Sequence, residues 1–284
     1  MVKWLLVLVC ACNGTMETYF AQDVVDEVLD QPYADGKNPA QYLDLFLPRR
    51  TTDYPVVVFV HGGFWIHQDR DYYEPVVGLY HNVGIALARR GIGVACISYR
   101  LVPDVPFEDE LDDVGLALRW THDHIAEHGG DPTRMVLSGH SAGGHIAALL
   151  AFDEDRLRSR GVDVTAIRGY APLSPILDLV QMAADDPDDA QIASEVFGTA
   201  LAEYSPTTYF APTVKPLFIA LGTEDLPILR TQVPPAIDTL QTLGAPVTFH
   251  EIAGATHDDV VLDFDQSRDR VSPLLVDFVN TVAN

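Results

Sequence analysis

Ser141 stands in Gly139-His140-Ser141-Ala142-Gly143, a Gly-x-Ser-x-Gly spacing. A serine hydroxyl is a weak nucleophile at neutral pH, so acyl transfer at Ser141 requires an imidazole within hydrogen-bond reach and a carboxylate to orient that imidazole. Among ten histidines the candidate base is His257, which ends the turn Ala253-Gly254-Ala255-Thr256-His257 directly after an apolar run at 247–252. His250 lies inside that run, His140 occupies the variable position of the serine motif, and His122, His124 and His128 share a polar helical face; each reads as structural or solvated. For the acid, Asp225 follows the apolar run 217–221 through Gly222-Thr223-Glu224. Glu224 and Asp178 are alternatives that spacing alone does not separate from it.

The transition state of acyl transfer carries an oxyanion, which backbone N–H groups can hold. His61-Gly62-Gly63-Phe64-Trp65 follows the apolar run 56–60, so the amides of Gly62, Gly63 and Phe64, together with that of Ala142 behind the serine, are the candidate donors. Phe64, Trp65, Tyr72 and Tyr73 are candidate aromatics for lining a substrate pocket. Asp258 and Asp259 follow His257; facing it, they would favour the protonated imidazole and displace the activity optimum toward alkaline pH.

These residues need elements that bring them to one place. Runs at 43–47, 56–60, 93–99, 135–137, 167–170, 217–221 and 247–252 are short, β-branched and mostly apolar throughout. Strands of that kind must be covered on both faces, as in a parallel sheet flanked by helices. Helical periodicity fills the gaps at 75–90, 108–128, 142–152, 229–243 and 272–282, and Gly91, Gly129 and Gly244 supply helix stops. The pattern predicts a doubly wound α/β domain with a mainly parallel central sheet. Ser141 would sit in the sharp turn between a strand and a helix, with the Asp225 and His257 loops at the same carboxyl edge. Residues 174–214, broken by Pro and Asp, read as an insertion able to serve as a lid.

The whole chain, 284 residues with 48% apolar side chains, suffices for one such domain, expected over 25–284. Forty-one acidic against 18 basic residues leave a net charge of −23, which excludes a polyanion-binding role; no nucleic-acid partner is expected. The acidic clumps at 153–155 and 185–189 read as solvated surface. Three cysteines, Cys10, Cys12 and Cys96, build no disulfide framework. Residues 1–12 have the layout of a short export signal, too short to span a bilayer, and Val9-Cys10-Ala11-Cys12 offers Cys12 as a lipid-anchor site. Export is therefore the expected localisation, with a cytoplasmic chain as the alternative, and no motif specifies an oligomeric state.

The order Ser141, Asp225, His257, with the His-Gly-Gly loop upstream, resembles the α/β-hydrolase superfamily over nearly all of residues 25–282. Within it, the loop and elbow are similar to the esterase branch containing hormone-sensitive-lipase-like enzymes and kynurenine formamidases. Phe64 replaces the third glycine usual in the first group, and His140 an acidic residue often found there. The resemblance implies a cofactor-free serine hydrolase acting on small or medium carboxylic esters. The alternatives are an arylformamidase and, further off, a catalytically silent hydrolase fold used for binding.

Overall fold

The computed structural model describes residues 25–72, 78–212 and 214–284. The leader expected at 1–12, with Cys10 and Cys12, lies outside the described residues, as does Tyr73.

Eight strands form one sheet: β1 (Val25–Pro32), β2 (Tyr42–Pro48), β3 (Tyr54–Val60), β4 (Gly93–Ile97), β5 (Gly130–His140), β6 (Ile167–Leu173), β7 (Leu217–Glu224) and β8 (Val247–Thr256), in the order β1-β2-β4-β3-β5-β6-β7-β8. β1 and β2 are antiparallel to their neighbours, and every pair from β4 to β8 is parallel. The predicted mainly parallel sheet is the one observed. β1 was not predicted, because its side chains are largely exposed and polar and carry no apolar run.

The helices are α1 (His81–Ala88), α2 (Phe107–His124), α3 (Ala142–Phe152), α4 (Asp155–Ser159), α5 (Leu179–Asp185), α6 (Pro187–Phe197), α7 (Leu201–Tyr204), α8 (Pro227–Leu243), α9 (Asp259–Leu262) and α10 (Ser272–Val282). The helix expected at 75–90 begins at His81, since Gly78 and Tyr80 take φ of 61° and 73°, outside the helical region. Two cores cover the sheet. Val56, Val58 and Val60 of β3 join Leu111 of α2, Ile146 of α3 and Val233 of α8, while Val57 and Phe59 join Val83 of α1 and Leu275 of α10 on the other face. This alternation explains why the strands read as continuously apolar.

The topology places the site. β3 lies between β4 and β5, so the chain leaves β3 toward one side of the sheet and returns on the other to form β5. At such a reversal the loops after adjacent strands part and leave a crevice at the carboxyl edge. Val60 at the end of β3 pairs with Gly139 near the end of β5, which sets the His61 loop beside Ser141.

Candidate active site

Ser141 sits between β5 and α3 with φ 56° and ψ −116°, a strained conformation for a residue with a Cβ. Neighbouring contacts hold it there. Its amide donates to Leu173 O at 3.0 Å and its carbonyl accepts from His145 N at 2.8 Å. The turn also needs bare backbone behind it: a Cβ on Gly143 would lie 2.2 Å from Val60 O and 2.4 Å from His61 O. α3 starts at Ala142, so its free N–H groups and positive dipole end lie beside the hydroxyl.

His257 follows the last residue of β8, which runs through the segment read as a turn and ends at Thr256. Its Nδ1 lies 2.7 Å from Asp225 Oδ1, which selects Asp225 among the three candidate acids. Glu224 is exposed. Asp178 caps α5, accepting from Val180 N and Gln181 N. Asp225 takes four donors: His257 Nδ1, Leu226 N at 2.8 Å, Gly222 N at 3.2 Å and the hydroxyl of Ser174 at 2.6 Å. Burial pushes its carboxyl pKa up, but the hydrogen bonds and charge of His257 and the Ser174 hydroxyl outweigh this and hold it below the usual carboxylate range. Ser174 was missed in the sequence, where a serine opening an insertion carries no signal.

Of the two contacts in a serine–histidine–carboxylate relay, the structure therefore closes Asp225–His257. Ser141 Oγ makes no hydrogen bond among the described residues; it faces a cavity of about 380 Å³. Asp259 turns back to accept from Thr256 N at 3.0 Å and Thr256 Oγ1 at 2.7 Å, and Asp258 is exposed.

The loop after β3 also differs from expectation in one donor. Gly62 N donates to the Tyr80 hydroxyl at 2.9 Å, so its N–H is unavailable to an oxyanion, and Gly63, Phe64 and Ala142 are left as candidate donors. Gly62 matters for its missing Cβ, which would sit 3.2 Å from Ser141 Cβ. Phe64 lines the Ser141 cavity. Trp65 does not: φ of 54° and 64° at Phe64 and Trp65 bend the chain, and the indole is fully buried, with Nε1 3.2 Å from His145 Nδ1 and its ring against Phe197. Tyr72 packs against the core on the α1 and α10 face and is absent from the cavity lining.

Most of that lining comes from the 174–214 insertion, read in the sequence as a possible lid, and from the start of the helix expected at 229–243. Ile176 and Met182 of the insertion, with Leu226, Ile228 and Leu229 at the start of α8, form apolar walls. Asp185, Asp186 and Asp189 share the lining, so the clump read as solvated surface, exposed at Asp185 and Asp186, also borders the cavity. Asp186 caps α6, and burial followed by repulsion from Asp186 and Asp188 raises the Asp189 pKa.

The BD-FAE family profile matches residues 43–235, more than half the chain. The chain belongs to the BD-FAE family. Its α/β-hydrolase fold is shared with esterase B from Lactobacillus rhamnosis, at a TM-score of 0.79 with 21% identity over 92% of this chain and 87% of that one. Among curated proteins, this BD-FAE chain is 32% identical, over 87% of its length, to the probable isoprenylcysteine alpha-carbonyl methylesterase ICMEL1 of Arabidopsis thaliana, but spans only 54% of that protein. Over 97 residues, 34% of the chain and 28% of the relative, it is 42% identical to carboxylesterase NlhH of Mycobacterium tuberculosis. Among the described residues no helix is long and apolar enough to cross a membrane.

Proposed function

We propose that the protein hydrolyses carboxylic esters of small or medium size through an acyl-enzyme on Ser141. The observation that carries this reading is the Asp225–His257 hydrogen bond at 2.7 Å, standing at the same sheet edge as a strained serine that opens on an apolar cavity. Relatives named as a carboxylesterase and a methylesterase support it.

In this mechanism, substrate binding brings the Ser141 hydroxyl against His257 Nε2, a contact that in unliganded sites is commonly open. Ser141 attacks the ester carbonyl as the ring takes its proton. Asp225 keeps Nδ1 protonated and stabilises the imidazolium. The amides of Gly63, Phe64 and Ala142 hold the oxyanion, each worth about 2.7–4 kcal/mol in the transition state. The imidazolium gives its proton to the departing alcohol, and water then repeats the sequence on the acyl-enzyme. Phe64, Ile176, Met182 and Ile228 suit an aliphatic or aromatic arm. The three nearby aspartates disfavour an arm bearing a carboxylate.

Turnover of p-nitrophenyl acetate, longer p-nitrophenyl esters and N-formylkynurenine by the wild type and Ser141→Ala tests this. Ester turnover that falls on the order of 10⁶-fold in Ser141→Ala is expected. Full activity in that variant, or a preference for the formamide, overturns the proposal.

A further inference from the structure

His140, between Gly139 and the nucleophile, is 3% exposed, and the mechanism above gives it no part. Its ring centroid lies 4.5 Å from that of His257 with the planes inclined by 37°, and its Nε2 lies 3.1 Å from the His257 carbonyl oxygen. A carbonyl only accepts, so Nε2 carries the ring proton. The other nitrogen, Nδ1, is then a lone pair, and it faces the Tyr80 hydroxyl at 3.5 Å. Burial pushes the His140 pKa down to about 3, in keeping with a neutral ring.

Tyr80 continues the contact. Its hydroxyl accepts the Gly62 N–H at 2.9 Å, and its one proton is shared between Gln68 Oε1 at 2.9 Å and His140 Nδ1 at 3.5 Å. One buried chain of polar groups therefore runs from the backbone of His257 through His140 and Tyr80 to the loop that carries Gly63 and Phe64. It joins segments that leave three different strands, β8, β5 and β3. The Asp225 hydrogen bond holds the His257 ring at Nδ1 only, which leaves the far edge free to swing about that contact. The face of His140 and its bond to the His257 carbonyl remove that freedom.

We infer that His140 is a positioning residue for His257, aiming Nε2 at Ser141, and that Tyr80 ties the same support to the oxyanion loop. The inference rests on Ser141 and His257 being nucleophile and base. Displacing a reacting group by about 1 Å costs on the order of 10²-fold in rate, so the loss falls on kcat, while the apolar cavity that binds substrate is untouched.

The experiment compares kcat and KM for p-nitrophenyl butyrate, together with the rate of covalent inactivation by paraoxon, in the wild type, Ser141→Ala, His140→Leu and His140→Gln. His140→Leu removes both the ring and the donor; its kcat and inactivation rate are expected to fall together by about 10- to 100-fold, with KM within about threefold. Glutamine places an amide N–H where Nε2 was, and is expected to recover kcat to within about fivefold of wild type. If His140→Leu does not fold, His140→Asn, whose amide is one methylene too short, takes its place in the comparison. Wild-type kcat in the Leu or Asn variant, or no recovery with Gln in a folded protein, overturns the inference. Activity retained in Ser141→Ala overturns the nucleophile assignment instead, so the two failures are distinguishable.

Discussion

Asp225→Asn isolates the carboxylate's part in the site with the smallest change of shape. The carboxylate accepts His257 Nδ1 and Leu226 N on Oδ1, and the Ser174 hydroxyl and Gly222 N on Oδ2. An asparagine must put its NH₂ on one side or the other. Turned toward Oδ1, it meets the Leu226 N–H and donates to His257 Nδ1, which forces the ring proton onto Nε2, where the serine proton must arrive. Turned toward Oδ2, it leaves the His257 hydrogen bond in place and the Ser174 hydroxyl can rotate to accept. The Gly222 N–H then loses its acceptor, and the imidazolium loses its counter-charge.

Either arrangement leaves a backbone donor facing another donor, at about 1–3 kcal/mol of stability. For turnover, both the wrong tautomer and the lost charge act on the transition state, and a fall in kcat of about 10⁴-fold is expected. That is about 5.4 kcal/mol, much more than the stability cost, so a folded but nearly inactive protein is the signature. Steady-state hydrolysis of p-nitrophenyl butyrate at pH 8, with urea unfolding alongside and Glu224→Gln as control, measures it. KM should change little, because Asp225 is buried behind His257 and absent from the cavity lining. A kcat within tenfold of wild type, or an equal loss in Glu224→Gln, refutes the reasoning.

Gly143→Ala sets a methyl 2.2 Å from Val60 O and 2.4 Å from His61 O, backbone atoms that cannot swing aside; a loss of about 1–3 kcal/mol or more in urea unfolding, with lower kcat, is expected. Ser174→Ala removes a donor from Asp225 Oδ2, leaving a more basic carboxylate that grips the imidazolium harder. The acid limb of the kcat/KM profile should move up by about half a pH unit, a fraction of a charged hydrogen bond's strength, and a downward move contradicts it. Burial depresses the ring pKa of His61, His140 and His145 to about 4, 3 and 4; below about pH 6.5 the unfolded chain takes up protons there that the folded chain does not, so stability is lost as pH falls. Glu110 and Asp71, both raised by burial, the latter to about 7, oppose this in part; stability in urea unfolding should still fall as the pH drops from 6.5 to 4.5.

The sequence shows the site where chemistry and chain punctuation coincide. Ser141, Asp225 and His257 are legible because each follows a recognisable apolar strand, and parallel strands deliver their loops to one edge. What it does not show are partners that meet only in space. Gly62 and Tyr80 are 18 residues apart, and nothing in either announces that a hydroxyl takes the amide. Trp65 is an aromatic beside the oxyanion loop, and residue type does not say whether the chain turns it toward substrate or toward Phe197. The insertion was legible as a segment over the site, but its helices were not. α5 is seven residues long, and α6 opens on the polar Pro187-Asp188-Asp189, so neither reads as a long apolar-periodic run, yet Asp178 and Asp186-Pro187 are helix-start signals that would have located them.

Backbone strain concentrates where these loops meet. Phe64, Trp65, Gln68, Tyr80, Ser141 and Ser174 all have positive φ, a conformation costly for side-chain-bearing residues that persists only where the surroundings over-determine it. Here the surroundings are identifiable. Ser141 and Ser174 are pinned by amide bonds to neighbouring strands, Ser141 to Leu173 and Ser174 to Ala220, Tyr80 and Gln68 by the shared hydroxyl contact, and Trp65 by its buried indole. The rigid parallel sheet thus carries the strain, and the strain in turn points a serine, an amide pair and a cavity wall at the same space. A glycine at Ser174 would relax the backbone there but would also remove the hydroxyl from Asp225, so at that position relief of strain and orientation of the acid are opposed.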